Sequence, residues 1–308
     1  MTLTFEAFSP RHAGALQALV RDPSLAVEFE PLQADGATDG MLVDTHHVAS
    51  ALHLAFADGR AVGFCTAFVM PDPTGAFSAL RLGVVAAERR RGIGSALLAR
   101  TLEALDRDAP ERVEDSGAAW EPNDAGAAFA ARHGFAHARW YWLMDRPRAP
   151  VPAPEWPAGV TLESFDGGTR HLADFCEALN DAFAEHYHFA VNTPDSIRSF
   201  IRSRPSFRAD GLLLAYRDGR CAGFCRSELW PERGEVALLG TTRAARGIGL
   251  GRALLRWGLE WLERAGATRH TLLVDGKNDG ALALYVGEGF TVARRREVWS
   301  RPRAGARA

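Results

Sequence analysis

The sequence predicts an α/β protein, a mixed sheet flanked by helices, laid down twice in one chain. Three observations predict it. First, three segments recur in the same order: AFADGRAVGFC (Ala55 to Cys65) with AYRDGRCAGFC (Ala215 to Cys225), RRRGIGSALL (Arg89 to Leu98) with RGIGLGRALL (Arg246 to Leu255), and NDAGAAFAARHGF (Asn123 to Phe135) with NDGALALYVGEGF (Asn278 to Phe290). Their spacing drifts by only a few residues, so one architecture is repeated with small loop differences. Second, apolar β-branched runs alternate with stretches whose leucines fall at helical spacing, the pattern of amphipathic helices covering a sheet. Third, RPRAPVPAPEWPAGV (Arg146 to Val160) separates the copies with prolines that remove donors and hold an extended chain.

Each copy follows one plan. A first strand (Leu3 to Phe8; Val160 to Phe165) leads to helices and then to a hairpin turning at Asp58-Gly59 or Asp218-Gly219. A long central strand, a glycine-rich loop and a long helix follow. Leu97, Leu98, Thr101, Leu102 and Leu105 mark that helix in copy one, and Leu254, Leu255, Leu259 and Leu262 in copy two. Another strand, a shorter helix and a last strand complete the copy. At 308 residues and 47% hydrophobic content the chain has room for about two full cores. The expected division is residues 1–147, a proline-rich linker at 148–159, a second domain at 160–302, and a loose tail at 303–308.

A formal net charge of −2 gives no reason to expect a nucleic-acid partner. No apolar run approaches about 18 residues, and the start MTLTFEAFSP lacks the regions of a signal peptide. A soluble cytoplasmic protein, without membrane attachment, is the expectation. The four cysteines form no metal or disulfide framework; Cys65 and Cys225 occupy matched strand positions, where the residue acts as a small buried hydrophobe. His186 and His188 bring no third and fourth ligand, so no metal is expected.

The chemistry centres on GEVALLGTTRAARGIGLGRALL, Gly234 to Leu255. Val236 to Leu239 suits a strand covered on both faces, and the arginine- and glycine-rich loop then opens a helix. Glycines let main-chain amides approach a ligand, and the first helical turn offers unpaired donors at the positive end of the dipole, so a phosphate is the natural guest. There is no Gly-Lys-Ser/Thr and no G-x-G-x-x-G. What remains is R-x-x-G-x-G at Arg246, Gly249 and Gly251.

That motif, doubled in tandem, resembles the acetyl-CoA pyrophosphate loop of the GNAT superfamily of N-acetyltransferases. Among tandem members, GEVALLGTTRAARGIGLG and LNDAFAEHYHF resemble the mycothiol synthase-like acetyltransferases. The resemblance implies two GNAT domains, acetyl-CoA as acyl donor, and direct transfer to the primary amine of a small molecule in a ternary complex. It also implies that Leu239 N–H polarises the thioester carbonyl and that Thr241 pairs with pantetheine. Arg246, Gly247, Ile248, Gly249, Leu250, Gly251 and Arg252 would hold the pyrophosphate. The copy-one equivalents are Leu82, Val84, Arg89, Arg90, Arg91, Gly92, Ile93, Gly94 and Ser95.

The two copies part at the residues that carry chemistry. The family motif N-x-x-A-x-x-x-Y-x-x-x-G-F is present as Asn278, Ala281, Tyr285, Gly289 and Phe290; the resemblance places Asn278 and Tyr285 against acetyl-CoA and makes Tyr285 the acid that protonates the departing thiolate. Copy one has Ala130 where the tyrosine belongs. By the same resemblance Glu235 abstracts the amine proton, and copy one offers Ser78 there. The N-terminal domain therefore reads as catalytically silent. Bland readings stand beside these: Tyr285 also suits packing, Glu235 a strand-start carboxylate, Asn278 a helix N-cap, and Arg89 and Arg246 surface ion pairs. The acceptor pocket is expected from Glu185, His186, Tyr187, Phe189 and Trp230, which differ most between copies and also suit ordinary packing. The competing function is an acyl-CoA-binding regulatory or structural protein without turnover. Oligomeric state is expected to be monomer or homodimer, since a tandem already supplies the pairing that single-domain relatives reach by dimerising.

Overall fold

A computed structural model describes residues 2–33, 37–44, 46–72, 75–202, 204, 206–230 and 233–303. The chain forms two compact units, Met1–Arg139 with Glu297–Ala308, and Trp140–Arg296. The elements in chain order are β1 (Leu3–Ala7), α1 (Ala13–Val20), α2 (Ala37–Leu42), β2 (His53–Ala57), β3 (Arg60–Asp72), β4 (Gly75–Val84), α3 (Ile93–Asp108), β5 (Arg112–Trp120), α4 (Asp124–Arg132) and β6 (Ala136–Pro147). The repeat follows as β7 (Val160–Ser164), α5 (Thr169–Phe183), α6 (Pro194–Arg202), β8 (Leu212–Arg217), β9 (Arg220–Trp230), β10 (Arg233–Thr241), α7 (Leu250–Arg264), β11 (Arg269–Asp275), α8 (Asp279–Gly287) and β12 (Thr291–Pro302).

In the first unit β1 to β4 pair antiparallel in succession, and β4 pairs parallel with β5. In the second unit β7 to β10 repeat that order, β10 pairs parallel with β11, and β11 pairs antiparallel with residues 141–147 of β6. Both hairpins turn on positive φ at two successive residues, +46° and +80° at Asp58-Gly59 and +50° and +74° at Asp218-Gly219. That is the turn whose twist matches the strands it joins. The long helices bury the predicted stripe, Leu97, Leu98, Thr101 and Leu105 in α3 and Leu254, Leu255, Leu259 and Leu262 in α7.

The contacts divide the chain elsewhere than the proline-rich segment. Residues 140–147, read from the sequence as the end of the first domain, belong to the second unit, and residues 297–303 belong to the first. A strand is placed by its ladder partners, and those partners lie far away in sequence: Met144 opposes Leu272, and Arg303 N–H donates to Val113 O at 2.8 Å. The segment read as a linker is docked on the second unit, with Val151 and Trp156 against its core and Arg148 paired to Glu263 at 2.6 Å. Tail residues 304–308 and the turn residues Pro231 and Glu232 lie outside the described residues.

Cys65 and Cys225 are fully buried in matched positions, and burial pushes both thiols up to about 12. Among the described residues no helix is long and apolar enough to cross a membrane.

Candidate active site

Strand β10 carries Glu235, Leu239 and Thr241, and its two faces meet different cores. Val236 and Leu239 face α7 and its leucines, whereas Leu238 joins the core built by α5 and α6. Residues three apart share a face because Ala237 is an extra residue: Val236 opposes Ser227 and Leu238 opposes Arg226, with nothing on β9 opposite Ala237. Such a bulge re-aims the strand and breaks the regular ladder.

The other edge of β10 is open. Its parallel pairing with β11 covers Gly234 with His270 and Glu235 with Thr271, and then stops, although β10 runs on to Thr241. Beyond Glu235 the β11 side of the strand therefore has no ladder partner among the described residues, an edge to which an extended ligand can add as a strand. The glycine-rich loop begins directly beyond it. Gly247 and Gly249 have φ of +78° and +87°, and Gly249 is the N-cap of α7. Among the described residues nothing accepts from the amides of Gly247 through Arg252, since the first bond into the helix is Ala253 N–H to Gly249 O at 3.2 Å. These donors surround the positive end of a 15-residue helix.

The arginine side chains beside this loop are engaged within the protein. Arg246 lies 3.3 Å from Glu185 and 3.4 Å from Ala182 O at the end of α5, and Arg252 lies 2.9 Å from the buried Glu288. Asn278 caps α8 by accepting from Ala281 N–H at 3.0 Å, as Asn123 caps α4 from Gly126 N–H at 2.8 Å.

Tyr285 is buried in the same core as Leu239, its ring edge-on to Phe290 at 6.1 Å. Its hydroxyl makes no hydrogen bond among the described residues, and burial pushes its pKa well above the usual phenol range. Glu235 stands on the opposite face of β10, partly buried, 3.5 Å from Arg233. Burial raises its carboxyl, Arg233 opposes the rise and Glu228 adds to it. Among the described residues the two share no contact, and the open edge of β10 beyond Glu235 lies between their two faces.

Of the residues expected around an acceptor, Glu185 is turned to Arg246. His186 packs on Phe183 at 4.4 Å and Tyr187 lies against His188 at 3.9 Å. Phe189 is partly buried, its N–H donating to His186 O at 3.2 Å. Trp230 sits apart from that helix end, under Arg233 at 5.1 Å. The sequence reading missed Glu228, which opposes Glu235 in the hairpin. Counting outward from the turn, Trp230 with Arg233, Leu229 with Gly234, would have found it.

The first unit has the same loop on a different strand. Gly92 caps α3 with φ +78°, and Arg90 holds φ +64° where the second unit has Gly247. Ser95 bonds His133 at 2.9 Å, Arg91 pairs with Glu88 at 2.5 Å, and Ile93 is buried. Gly94 and Leu82 lie under the ring of Phe129, which a Cβ on Gly94 would meet at 3.2 Å. Val84, expected to face pantetheine, is buried, and its carbonyl accepts from Arg89 Nε at 2.9 Å. Ser78 is fully buried and donates to Asp115 at 2.7 Å.

The chain matches the acetyltransferase (GNAT) family over residues 16–135 and again over 173–290. It belongs to that family. This GNAT protein is 38% identical to a mycothiol acetyltransferase of Salinispora arenicola over 292 residues, 87% of this chain and 90% of the relative. It is 37% identical to a mycothiol acetyltransferase of Thermomonospora curvata over 243 residues, 77% and 78% of the two chains. Its fold is shared with a tandem GNAT protein from the clavulanic acid biosynthesis pathway, at TM-score 0.76, 22% identity and 98% coverage of both chains. A GCN5-related N-acetyltransferase from Sphaerobacter thermophilus gives TM-score 0.74 at 23% identity, covering 97% of this chain and 95% of that one. The protein is an N-acetyltransferase with two GNAT domains, in a family whose acetyl donor is acetyl-CoA.

Proposed function

We propose that the second unit transfers acetyl from acetyl-CoA to the primary amine of a small molecule by direct attack, and that the first unit is catalytically silent. The observation that carries this reading is the open edge of β10, which begins at Glu235, contains the Ala237 bulge and runs into the free amides before α7. The residues present fit acetyl-CoA: amides from Gly247 to Arg252 for its pyrophosphate, and the edge at Leu239 and Thr241 for its extended arm. Bound there, it supplies an activated thioester.

In this reading Glu235 takes the proton of the acceptor amine, Leu239 N–H steadies the developing oxyanion, and Tyr285 gives its proton to the thiolate. A phenol held neutral by burial keeps that proton until it is needed. Desolvation raises the basicity of a thiolate in the same way, as it does at Cys225, so burial does not oppose the transfer. The relatives' name makes mycothiol-related amines, such as a cysteinyl pseudo-disaccharide, the first acceptors to try.

The test is acetyl-CoA-dependent thiol release across a panel of small amines, with Tyr285→Phe beside the native protein. Turnover is expected to fall by about 10²-fold in the variant with acetyl-CoA affinity retained. An unchanged rate would remove Tyr285 from the mechanism.

A further inference from the structure

Glu235 does not stand alone on its face of the sheet. Its antiparallel partner is Glu228 of β9, and directly opposed residues bring their Cβ atoms to about 5 Å. Glu228 is fully buried, whereas the Glu235 side chain is 23% exposed. A lone buried carboxylate is costly, and three groups hold this one. Ser206 Oγ donates to Glu228 Oε2 at 2.7 Å, Arg204 Nη2 lies 3.5 Å from the same oxygen, and Arg226 Nε lies 3.1 Å from Oε1. The guanidiniums of Arg204 and Arg226 in turn pack on the Phe200 ring at 4.7 and 4.8 Å. Glu228 is thus held in place by these contacts, and Glu235 is the accessible carboxyl beside it.

The groups around Glu235 are Arg233 on its own strand, Glu228 and Arg226 on β9, and Arg204 from the loop after α6. From β11 it meets Thr271, which is uncharged and donates to Gly234 O at 3.3 Å. Burial raises the Glu235 carboxyl first; Arg233 and Arg204 work against that rise, and the opposed carboxylate of Glu228 works with it.

We propose that Glu228 is a positioning residue for acetyl transfer: its carboxylate, held by Ser206 and flanked by Arg204 and Arg226, stands directly opposite Glu235 across β9 and β10 and supports Glu235 as the acceptor of the amine's proton. This rests on the reading of Glu235 as the base. The first unit lacks the whole arrangement: in the register that puts Cys65 opposite Leu82 where Cys225 opposes Leu239, Phe68 opposes Ala79 where Glu228 opposes Glu235.

The experiment is the pH dependence of kcat/KM in Glu228→Gln, Arg204→Gln and Glu235→Gln. Glu228→Gln keeps an acceptor for Ser206 and removes the repulsion, so the acid limb moves to lower pH by about half to one unit. Arg204→Gln removes an attraction, so the limb moves to higher pH. Opposite shifts from two sides of one cluster are not what loss of packing produces, and Glu228→Ala, which removes the same charge in a smaller side chain, takes the place of Glu228→Gln if that variant does not fold. A limb abolished in Glu235→Gln but unmoved, or moved in one direction, by the other two variants overturns this proposal alone. A limb that persists in Glu235→Gln belongs to another group and overturns the base assignment together with it.

Discussion

Both units carry a bulge in the strand after the Asp-Gly turn, at Val62 in β3 and at Ala222 in β9. In both, the bulged residue's carbonyl accepts from the amide just beyond the next strand, Val85 or Thr242, at 2.9 Å. The second bulge, at Ala237, has no counterpart: β4 runs against β3 from Gly75 to Val84 without a shift. The parallel ladders differ as well. β10 leaves β11 after Glu235, while β4 stays paired with β5 through Leu80 opposite Gly117. Where the second unit has Glu235 at the open edge, the first has Ala79, one residue beyond the Ser78 that equal spacing in the sequence selects, and Ser78 is bonded to Asp115. Burial alone would push Asp115 up, but hydrogen bonds from Arg112 and Ser78 outweigh it and hold the carboxyl below its usual range. Features shared by the units serve the fold and the glycine loop, and features that differ are those the proposed transfer uses.

Deleting Ala237 tests that contrast most severely. It gives β10 the uninterrupted register of β4, and turnover is expected to fall by at least about 10²-fold, the scale of losing an oxyanion donor. A deletion variant that folds and turns over normally would show that the bulge does not separate the units. A smaller effect is expected from Gly258→Thr, which places in α7 the residue that α3 has at Thr101. Thr101 donates to Ala51 O at 2.9 Å, but a Cβ at Gly258 would meet Cys225 Sγ at 2.6 Å and Ser227 Oγ at 2.9 Å. Chemical unfolding should show a cost of about 1–3 kcal/mol, and a neutral result would mean that α7 shifts freely on β9. The smallest effects belong to the caps. Asn278→Ala and Asn123→Ala should each cost about 1 kcal/mol with acetyl-CoA affinity unchanged, whereas a tenfold loss of affinity in Asn278→Ala alone would give that side chain a ligand contact.

The resemblance of the motif pointed to Tyr285 and the spacing of the hairpin to its turn, but neither shows that Tyr285 and Glu235 lie on opposite faces of β10. The side-chain period along a strand is two, and one extra residue reverses every later position. Ala237 looks like any other residue of the run VALL. Arg246 and Arg252 read from the sequence as flanking a phosphate loop, and the structure sets their guanidiniums against Glu185 and Glu288, which are 61 and 36 residues away.

The sequence by itself determined the doubled architecture, the I′-type turns, the helical stripes, the asparagine caps and the glycine loop. Each depends on local period or on the backbone freedom of a few neighbouring residues. Tertiary structure alone decided how far β10 stays with β11, which unit holds residues 140–147 and 297–303, and that Glu228 opposes Glu235. Those are matters of register between segments distant in the chain, and register is fixed by the packing of both partners rather than by either sequence.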